Sequence, residues 1–193
     1  MELPDYEADD VIATLAVQAT TMGCKRVLVM AADKDMAQLV APNVYLFDAY
    51  KEKLIGPEEV EERWGVPPHL FVDLQGLMGD RSDNLPGVPG IGKATGAKLL
   101  QEYGSLDEVL ANIDNMKPSK RRESLRDNRD AAIITRKLAY LVNDAPLPKQ
   151  LEEVQPYSFS DSQAQELLAF LKKNDLKALE RRTRSLFTRL HKI

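Results

Sequence analysis

Apolar and polar positions in the first third of the chain follow two different periods. One set of apolar residues recurs at helical spacing: Val11, Ile12, Leu15, Ala16 and Ala19. Residues 26–30 then form a short continuous apolar run, which is typical of a buried parallel strand. Residues 44–47 and 53–55 predict two more short strands, and residues 36–40 predict a short helix before them. The pattern therefore predicts an α/β region at the start of the chain.

Helical spacing dominates the rest of the sequence. Helices are predicted over residues 57–64 and 69–78, which Pro67 and Pro68 separate. From residue 99 onward we predict only helices, over residues 106–113, 119–128, 131–141 and 161–171. The proline-containing stretch 146–159 is expected to be extended and to tie the last helices to the body.

Composition narrows the class of protein. The chain has 193 residues, of which 44% are hydrophobic, enough for one sizeable core with or without a small helical appendage. Its single cysteine, Cys24, excludes an internal disulfide. No apolar stretch approaches the roughly 20 residues that a membrane span needs, and the first residues lack the features of a secretory signal. We therefore expect a cytoplasmic protein that does not span a membrane.

Charge divides the chain into two unlike halves. Residues 1–90 carry 7 Lys and Arg against 16 Asp and Glu, whereas residues 91–193 carry 19 against 14. The acidic half suits cations, and the basic half suits a polyanion such as nucleic acid, because Lys and Arg neutralise phosphates. Solvated surface is the alternative interpretation of both halves.

Seven carboxylates stand out in the acidic half. They lie at a helix start, at a strand end and in a loop stiffened by prolines: Glu7, Asp9, Asp10, Asp33, Asp35, Asp80 and Asp83. If they converge, cations must neutralise them, and hard oxygen ligands suit Mg²⁺ or Mn²⁺. Two such ions about 4 Å apart can hydrolyse a phosphodiester bond with water as nucleophile. Each segment also has an ordinary structural explanation, as a helix-start charge, a helix cap or a turn.

A glycine-rich turn follows the last two carboxylates. Gly90-Ile91-Gly92 precedes a helix with apolar Leu99 and Leu100 on one face. Glycine lets the backbone approach a ligand closely, and a helix start presents unpaired N–H groups to an anion. The sequence therefore predicts a metal site beside a phosphate-binding turn.

Three motifs resemble the 5′–3′ exonuclease domains of bacterial DNA polymerase I, which belong to the flap endonuclease family. These motifs are Glu7-Ala8-Asp9-Asp10, Asp33-Lys34-Asp35 and residues 79–92. The resemblance implies an α/β fold with a truncated PIN-like (Rossmann-like), mostly parallel sheet, flanking helices and a helical carboxyl-terminal subdomain. Residues 1–84 would form a partial metal-binding nuclease core. Residues 85–193 would form the DNA-binding subdomain, with a helix-hairpin-helix (helix-three-turn-helix) motif at about 85–103 and its last helices packed back on the core.

The resemblance also assigns roles to individual residues. It implies that all seven carboxylates are metal ligands, some of them through water, with Asp33, Asp35 and Asp83 catalytic and two Mg²⁺ or Mn²⁺ ions in the complete site. It implies DNA contacts at Gly87, Gly90, Ile91, Gly92, Lys93, Thr95 and Lys98, with a K⁺ ion at the helix-hairpin-helix motif. Two positions depart from the family pattern, since Ala94 replaces a frequent Lys and Gly96 a frequent Ala.

The family's members begin with a central strand and a helical arch that have no counterpart before Glu7 in this sequence. Two hypotheses follow. The first is a metal-dependent 5′–3′ exonuclease or flap endonuclease that acts on flapped, nicked or 5′-ended duplex DNA in replication and repair. The second is a non-catalytic, structure-specific DNA-binding module, and an acidic metal-buffering protein is a third, weaker alternative. We expect a monomer, and covalent continuation into proofreading and polymerase domains is left open.

Overall fold

The computed structural model describes residues 2–49, 51–154 and 160–190. The chain forms two compact units, Met1–Leu151 and Glu152–Ile193. The boundary predicted after residue 84 lies inside the first unit. The packing of the last helices against the core stays a prediction.

A small mixed sheet organises the start of the first unit. Its elements are helix α1 (Ala8–Thr21), strand β1 (Val27–Val29), a 3₁₀ helix (Lys34–Leu39), and strands β2 (Val44–Asp48) and β3 (Lys53–Ile55). The predicted α/β fold is confirmed, but the sheet is not mostly parallel: β1 and β2 run parallel, whereas β2 and β3 run antiparallel. Only residues 49–52 join β2 to β3, and so short a connection allows a hairpin and no crossover.

The sheet builds one core and leaves one edge uncovered. Met36, Val44, Leu46 and Phe71 are buried between the sheet and the neighbouring helices. Among the described residues, β1 pairs with β2 alone and stands at the edge of the sheet. Leu28 on this edge strand is 55% exposed. The sheet therefore buries one side well and keeps an apolar margin in solvent.

Six helices complete the first unit around a second core. They are α2 (Pro57–Trp64), α3 (Phe71–Met78), α4 (Lys93–Tyr103), α5 (Leu106–Ala111), α6 (Lys120–Asp127) and α7 (Arg129–Ala139). Buried leucines and Ile91 fill the space among them. Asp73 of α3 accepts a hydrogen bond from the backbone N–H of Leu106 at 2.8 Å and lies 3.4 Å from Nη1 of Arg136. Asp73 thus joins α3 to the start of α5 and to α7.

The second unit is a helical hairpin of α8 (Asp161–Lys173) and α9 (Lys177–Leu190). Ser160 caps α8 by accepting a hydrogen bond from the backbone N–H of Gln163. The predicted extended stretch contains a short 3₁₀ turn (Leu151–Glu153), and residues 155–159 lie outside the described residues. Within the described part of the chain, no helix combines the length and apolar character needed to cross a membrane.

Candidate metal centre and nucleic-acid interface

Three of the seven predicted carboxylates converge in the structure. Oxygen atoms of Asp35, Asp80 and Asp83 lie within 4.8 Å of one another. Asp35 comes from the 3₁₀ helix after β1, and the other two come from the loop after α3. Asp33 caps that 3₁₀ helix, since its Oδ1 accepts the backbone N–H of Asp35 at 2.9 Å. The strand end and the stiff loop therefore meet at one acidic cluster, which we define as Asp35, Asp80 and Asp83.

The loop that carries Asp80 and Asp83 is closed by its own backbone. Asp80 and Leu85 exchange two backbone hydrogen bonds of 2.8 and 2.7 Å. Gly79 and Gly87 pack against each other at the neck of the loop, where a Cβ on Gly79 would lie 2.6 Å from the Leu85 carbonyl oxygen. Both glycines have positive φ values, 71° and 59°, which a side chain would disfavour. Close backbone contact therefore fixes the path of the loop.

Asp80 is the anchor of the cluster. It is only 6% exposed and accepts hydrogen bonds from Ser82, at 3.0 Å from the backbone N–H and at 2.6 Å from the hydroxyl. The ammonium of Lys34 lies 2.7 Å from Asp80 and 3.5 Å from Asp83, and it also contacts the Ser82 hydroxyl. Burial raises the pKa of Asp80, but the bonds from Lys34 and Ser82 outweigh burial, so its pKa is lowered overall. Asp80 is thus held as a carboxylate.

Asp35 has the opposite electrostatic character. Burial raises its pKa to about 6, and the negative charges of Asp33 and Asp80 add to the effect. The hydrogen bond from Gln75 and the charge of Lys34 act against this rise. Loss of the Asp35 proton near neutral pH therefore leaves a negative charge that a divalent cation can stabilise.

The carboxylates at the start of α1 are not members of the cluster. The pKa of Asp9 is raised, first by partial burial and then by the charges of Asp33, Glu7 and Asp10. Asp10 accepts the backbone N–H of Val142 at 2.8 Å and that of Glu7 at 3.1 Å. Asp9 therefore interacts electrostatically with Asp33, whereas Asp10 links the start of α1 to the segment after α7.

The donor set of the cluster fits a hard divalent cation. Its three members are carboxylates, which are the ligands that Mg²⁺ and Mn²⁺ favour. Asp83 is the most open of the three, with a side chain 51% exposed. A cation bound here would be reached from solvent on the Asp83 side.

The glycine turn lies at the start of α4, as the sequence predicts. A Cβ at Gly90 or Gly92 would meet no described atom within 4 Å, so the backbone is open at both positions. No described side chain caps α4 at Gly92. The Ser124 hydroxyl of α6 donates a 2.6 Å hydrogen bond to the carbonyl of Pro89 and braces the turn. A cleft of about 520 Å³ runs along this turn. Among the described residues, no hydrogen bond uses the N–H groups of Gly90 and Gly92, whereas the Gly92 carbonyl accepts from the backbone of Thr95 and Gly96.

The structure gives three predicted DNA-contacting residues other roles. The side chain of Ile91 is 3% exposed and packs in the helical core, and its backbone N–H donates to the Val88 carbonyl at 3.0 Å. Gly87 is buried at the neck of the acidic loop. Lys93 donates a 2.9 Å hydrogen bond to the Arg63 carbonyl and lies 5.9 Å from the centre of the Trp64 ring. Lys93 is nevertheless exposed, and DNA contacts at these three residues stay a prediction.

Lys98 and Thr95, two further predicted DNA-contacting residues, both line a cleft beside α4. Lys98 is exposed and, with Thr95 and Arg121, lines a shallow cleft of about 260 Å³ beside α4. This cleft joins α4 to the basic helix α6. Two cationic side chains, Lys98 and Arg121, thus face this cleft together with the carboxylate of Glu102.

Two residues that contact the cluster were not predicted from the sequence as site residues. Lys34 stands between two aspartates, and Gln75 is a polar residue in the apolar run of α3. Gln75 is 0% exposed. A polar residue at a core position five places before Asp80 was the available signal, since buried amides need partners.

Family comparison defines the class of protein. The model of the 5′-3′ exonuclease, N-terminal resolvase-like domain, matches residues 1–65, and that of the 5′-3′ exonuclease, C-terminal SAM fold, matches residues 66–162. The chain therefore belongs to the 5′-3′ exonuclease family, which confirms the resemblance inferred from the motifs.

The relatives include bacterial DNA polymerases. The chain is 43% identical over 182 residues to DNA polymerase I of Rhizobium leguminosarum, a match that covers 94% of this chain and 18% of that protein. It is 45% identical over 158 residues to DNA polymerase I of Bacillus caldotenax, covering 79% of this chain and 18% of that protein. The chain thus spans about a fifth of the length of these relatives.

Solved structures support the fold. The T5 D15 protein co-crystallised with metal ions matches with a TM-score of 0.68 at 22% identity, over 74% of this chain and 52% of that one. At this identity the likeness concerns the fold alone.

Proposed function

We propose that this chain hydrolyses phosphodiester bonds of DNA at 5′ ends and flaps in replication and repair, as a metal-dependent 5′–3′ exonuclease or flap endonuclease. The observation that carries the proposal is the convergence of Asp35, Asp80 and Asp83 within 4.8 Å. These carboxylates come from segments separated by 45 residues in the chain (positions 35 and 80), yet they form one oxygen-rich site. Such a site beside an open glycine turn fits phosphodiester hydrolysis better than metal storage.

The residues of the cluster divide the work in this proposal. Asp35, Asp80 and Asp83 hold Mg²⁺ or Mn²⁺, and Asp33 orients Asp35 through the backbone N–H that it caps. Bound divalent cations supply a water nucleophile at neutral pH and stabilise the leaving oxygen. Glu7, Asp9 and Asp10 complete the acidic surroundings through water, with two ions in the complete family site.

The glycine turn holds the DNA in this proposal. Backbone N–H groups at Gly90 and Gly92 bind a phosphate, Thr95 and Lys98 extend the contact along the strand, and carbonyls of the turn would hold a K⁺ ion that offsets phosphate charge. The T5 D15 flap endonuclease has been crystallised as a pseudo-enzyme-product complex with DNA and metal ions. A monomer is sufficient for this arrangement. Since the relatives are DNA polymerases, the proposal includes a covalent connection of this chain to further domains.

A labelled 5′-flap duplex tests the proposal. The chain is incubated with the duplex in Mg²⁺ or in EDTA, and products and binding are followed together. We expect Mg²⁺-dependent cleavage that Asp83→Asn abolishes and that Asp130→Asn, an exposed carboxylate in α7, leaves intact. Binding without cleavage would replace the nuclease by the DNA-binding module, and absence of both would overturn the whole proposal.

A further inference from the structure

Gln75 is a fully buried amide at the back of the acidic cluster. It lies in α3, where its neighbours Leu74 and Leu77 are core residues at 0% exposure, and it is itself 0% exposed. A long polar side chain rarely occupies such a position without a partner. Its contacts therefore identify what the amide does.

The amide nitrogen of Gln75 reaches two members of the cluster. Nε2 donates to Asp35 Oδ1 at 2.8 Å and to Asp80 Oδ2 at 3.4 Å. These two carboxylates belong to different segments, one after β1 and one after α3. One side chain thus bridges the two segments from the core side, opposite to the exposed side chain of Asp83.

The other polar atom of the Gln75 amide is its oxygen, Oε1. No described residue donates a hydrogen bond to Oε1 of Gln75, although the atom is buried. An unpaired buried carbonyl costs stability. A leucine would fill the same space without this cost. The presence of an amide at position 75 is therefore explained by its N–H groups, which donate to Asp35 and Asp80.

We propose that Gln75 is a positioning residue that sets the separation of Asp35 and Asp80 for a divalent cation. This inference rests on the proposed function. Gln75 touches neither the cation nor the DNA in this arrangement; it orients two ligands by hydrogen bonds, as outer partners of metal ligands do. Without the amide, both carboxylates remain in the site, but the distance between Asp35 and Asp80 is no longer fixed.

The test is a titration with Mn²⁺, followed by calorimetry and by the electron paramagnetic resonance spectrum of the bound ion. Gln75→Met removes the donors at similar volume, and we expect Mn²⁺ affinity to fall about tenfold or more. Gln101→Met is the matched control, because Gln101 also donates from Nε2, to the Gly65 carbonyl at 2.7 Å, away from the cluster. The control is expected to bind Mn²⁺ within about twofold of the wild type.

The outcomes separate the two proposals. A folded Gln75→Met variant with wild-type affinity and an unchanged Mn²⁺ spectrum would overturn the role of Gln75 and leave the nuclease proposal standing. If Gln75→Met does not fold, Gln75→Asn, which keeps the amide but shortens its reach, must show weakened affinity, and wild-type affinity in that variant overturns the role. A wild-type chain that binds no Mn²⁺ overturns the metal centre itself, and the inference with it.

Discussion

Lys34 Nζ lies 2.7 Å from Asp80 Oδ2, so an ammonium neutralises the most buried carboxylate of the cluster. The same nitrogen lies 3.5 Å from Asp83. A divalent cation that bound these two carboxylates would therefore compete with the ammonium for the oxygen atoms of Asp80 and Asp83.

The variant Lys34→Met is expected to distinguish the stabilising effect of the ammonium from its competition with a divalent cation. In EDTA, the free energy of unfolding should fall by about 1–3 kcal/mol, because the carboxylates lose their counter-charge. Added Mg²⁺ should stabilise the variant more than it stabilises the wild type. Urea unfolding with and without Mg²⁺ measures both effects, and Lys51→Met, which removes an exposed ion pair with Asp48, serves as control. Equal Mg²⁺ stabilisation of wild type and variant would contradict the competition.

The raised pKa of Asp35 predicts a pH-dependent stability without metal. The folded chain binds the Asp35 proton up to about pH 6, whereas the ordinary value is 3.8. Between these values the folded state holds more protons, so the free energy of unfolding should fall as pH rises from about 4 to about 6. We expect a loss of about 1–2 kcal/mol, since the half-buried group is partly screened by solvent.

Urea unfolding in EDTA across this pH range checks the prediction. Asp35→Asn should abolish the decrease and be more stable than the wild type at pH 7. Asp80 works in the other direction, because a lowered pKa removes stability as pH falls. The difference between wild type and Asp35→Asn isolates Asp35, and parallel profiles would refute the assignment.

Adding one methyl group where Gly79 and Gly87 pack together is expected to lower the free energy of unfolding strongly. In Gly87→Ala, the new Cβ would lie 2.6 Å from the Cα of Gly79, and the residue would keep a φ of 59°. We expect a loss of at least about 2 kcal/mol in unfolding free energy, together with weaker Mn²⁺ binding. Gly23→Ala is the control, since its φ is 80° but no described atom lies within 4 Å of the new Cβ. It should cost only about 1 kcal/mol and leave Mn²⁺ affinity unchanged; a Gly87 variant as mild as this one would argue against a rigid neck.

Replacing Lys98 and replacing Lys93 are expected to have different effects on DNA binding. Both lysines are exposed, but the ammonium of Lys93 donates a hydrogen bond to the Arg63 carbonyl at 2.9 Å. Lys98→Ala should weaken binding and reduce the slope of log affinity against log salt by about one, as loss of one phosphate contact does. Lys93→Ala should leave that slope unchanged. Fluorescence anisotropy with a labelled flap at several KCl concentrations compares them, and equal slopes for the two variants would reject the distinction.

The sequence predicted most elements because their periods were clear. The helix at 57–64 was found with those bounds, since proline starts it and glycine follows it. The antiparallel β2–β3 pair was missed, because periodicity describes burial and not strand direction. In Ile91 and Lys93, motif position suggested ligand contacts, but side-chain direction depends on neighbours distant in sequence, such as Trp64 and Arg63.

The candidate site was predictable in kind but not in detail. The sequence singled out carboxylates after β1 and α3 as candidate ligands, and three of them converge. The bridge from Gln75 and the link between Asp10 and the Val142 backbone join residues 40 and 132 positions apart. No local pattern encodes such contacts, because they arise only when the helices pack.

The loop between Gly79 and Gly87 has a consequence for how this sequence can drift. Its path is set by main-chain contacts, and no described hydrogen bond or ion pair involves the side chain of the exposed Arg81. A substitution of Arg81 therefore removes no described side-chain hydrogen bond or ion pair, whereas a side chain at either glycine would clash with the backbone of the loop. The backbone of this loop, which carries Asp80 and Asp83, is therefore rigid, whereas the side chain at position 81 can be exchanged without altering the metal centre.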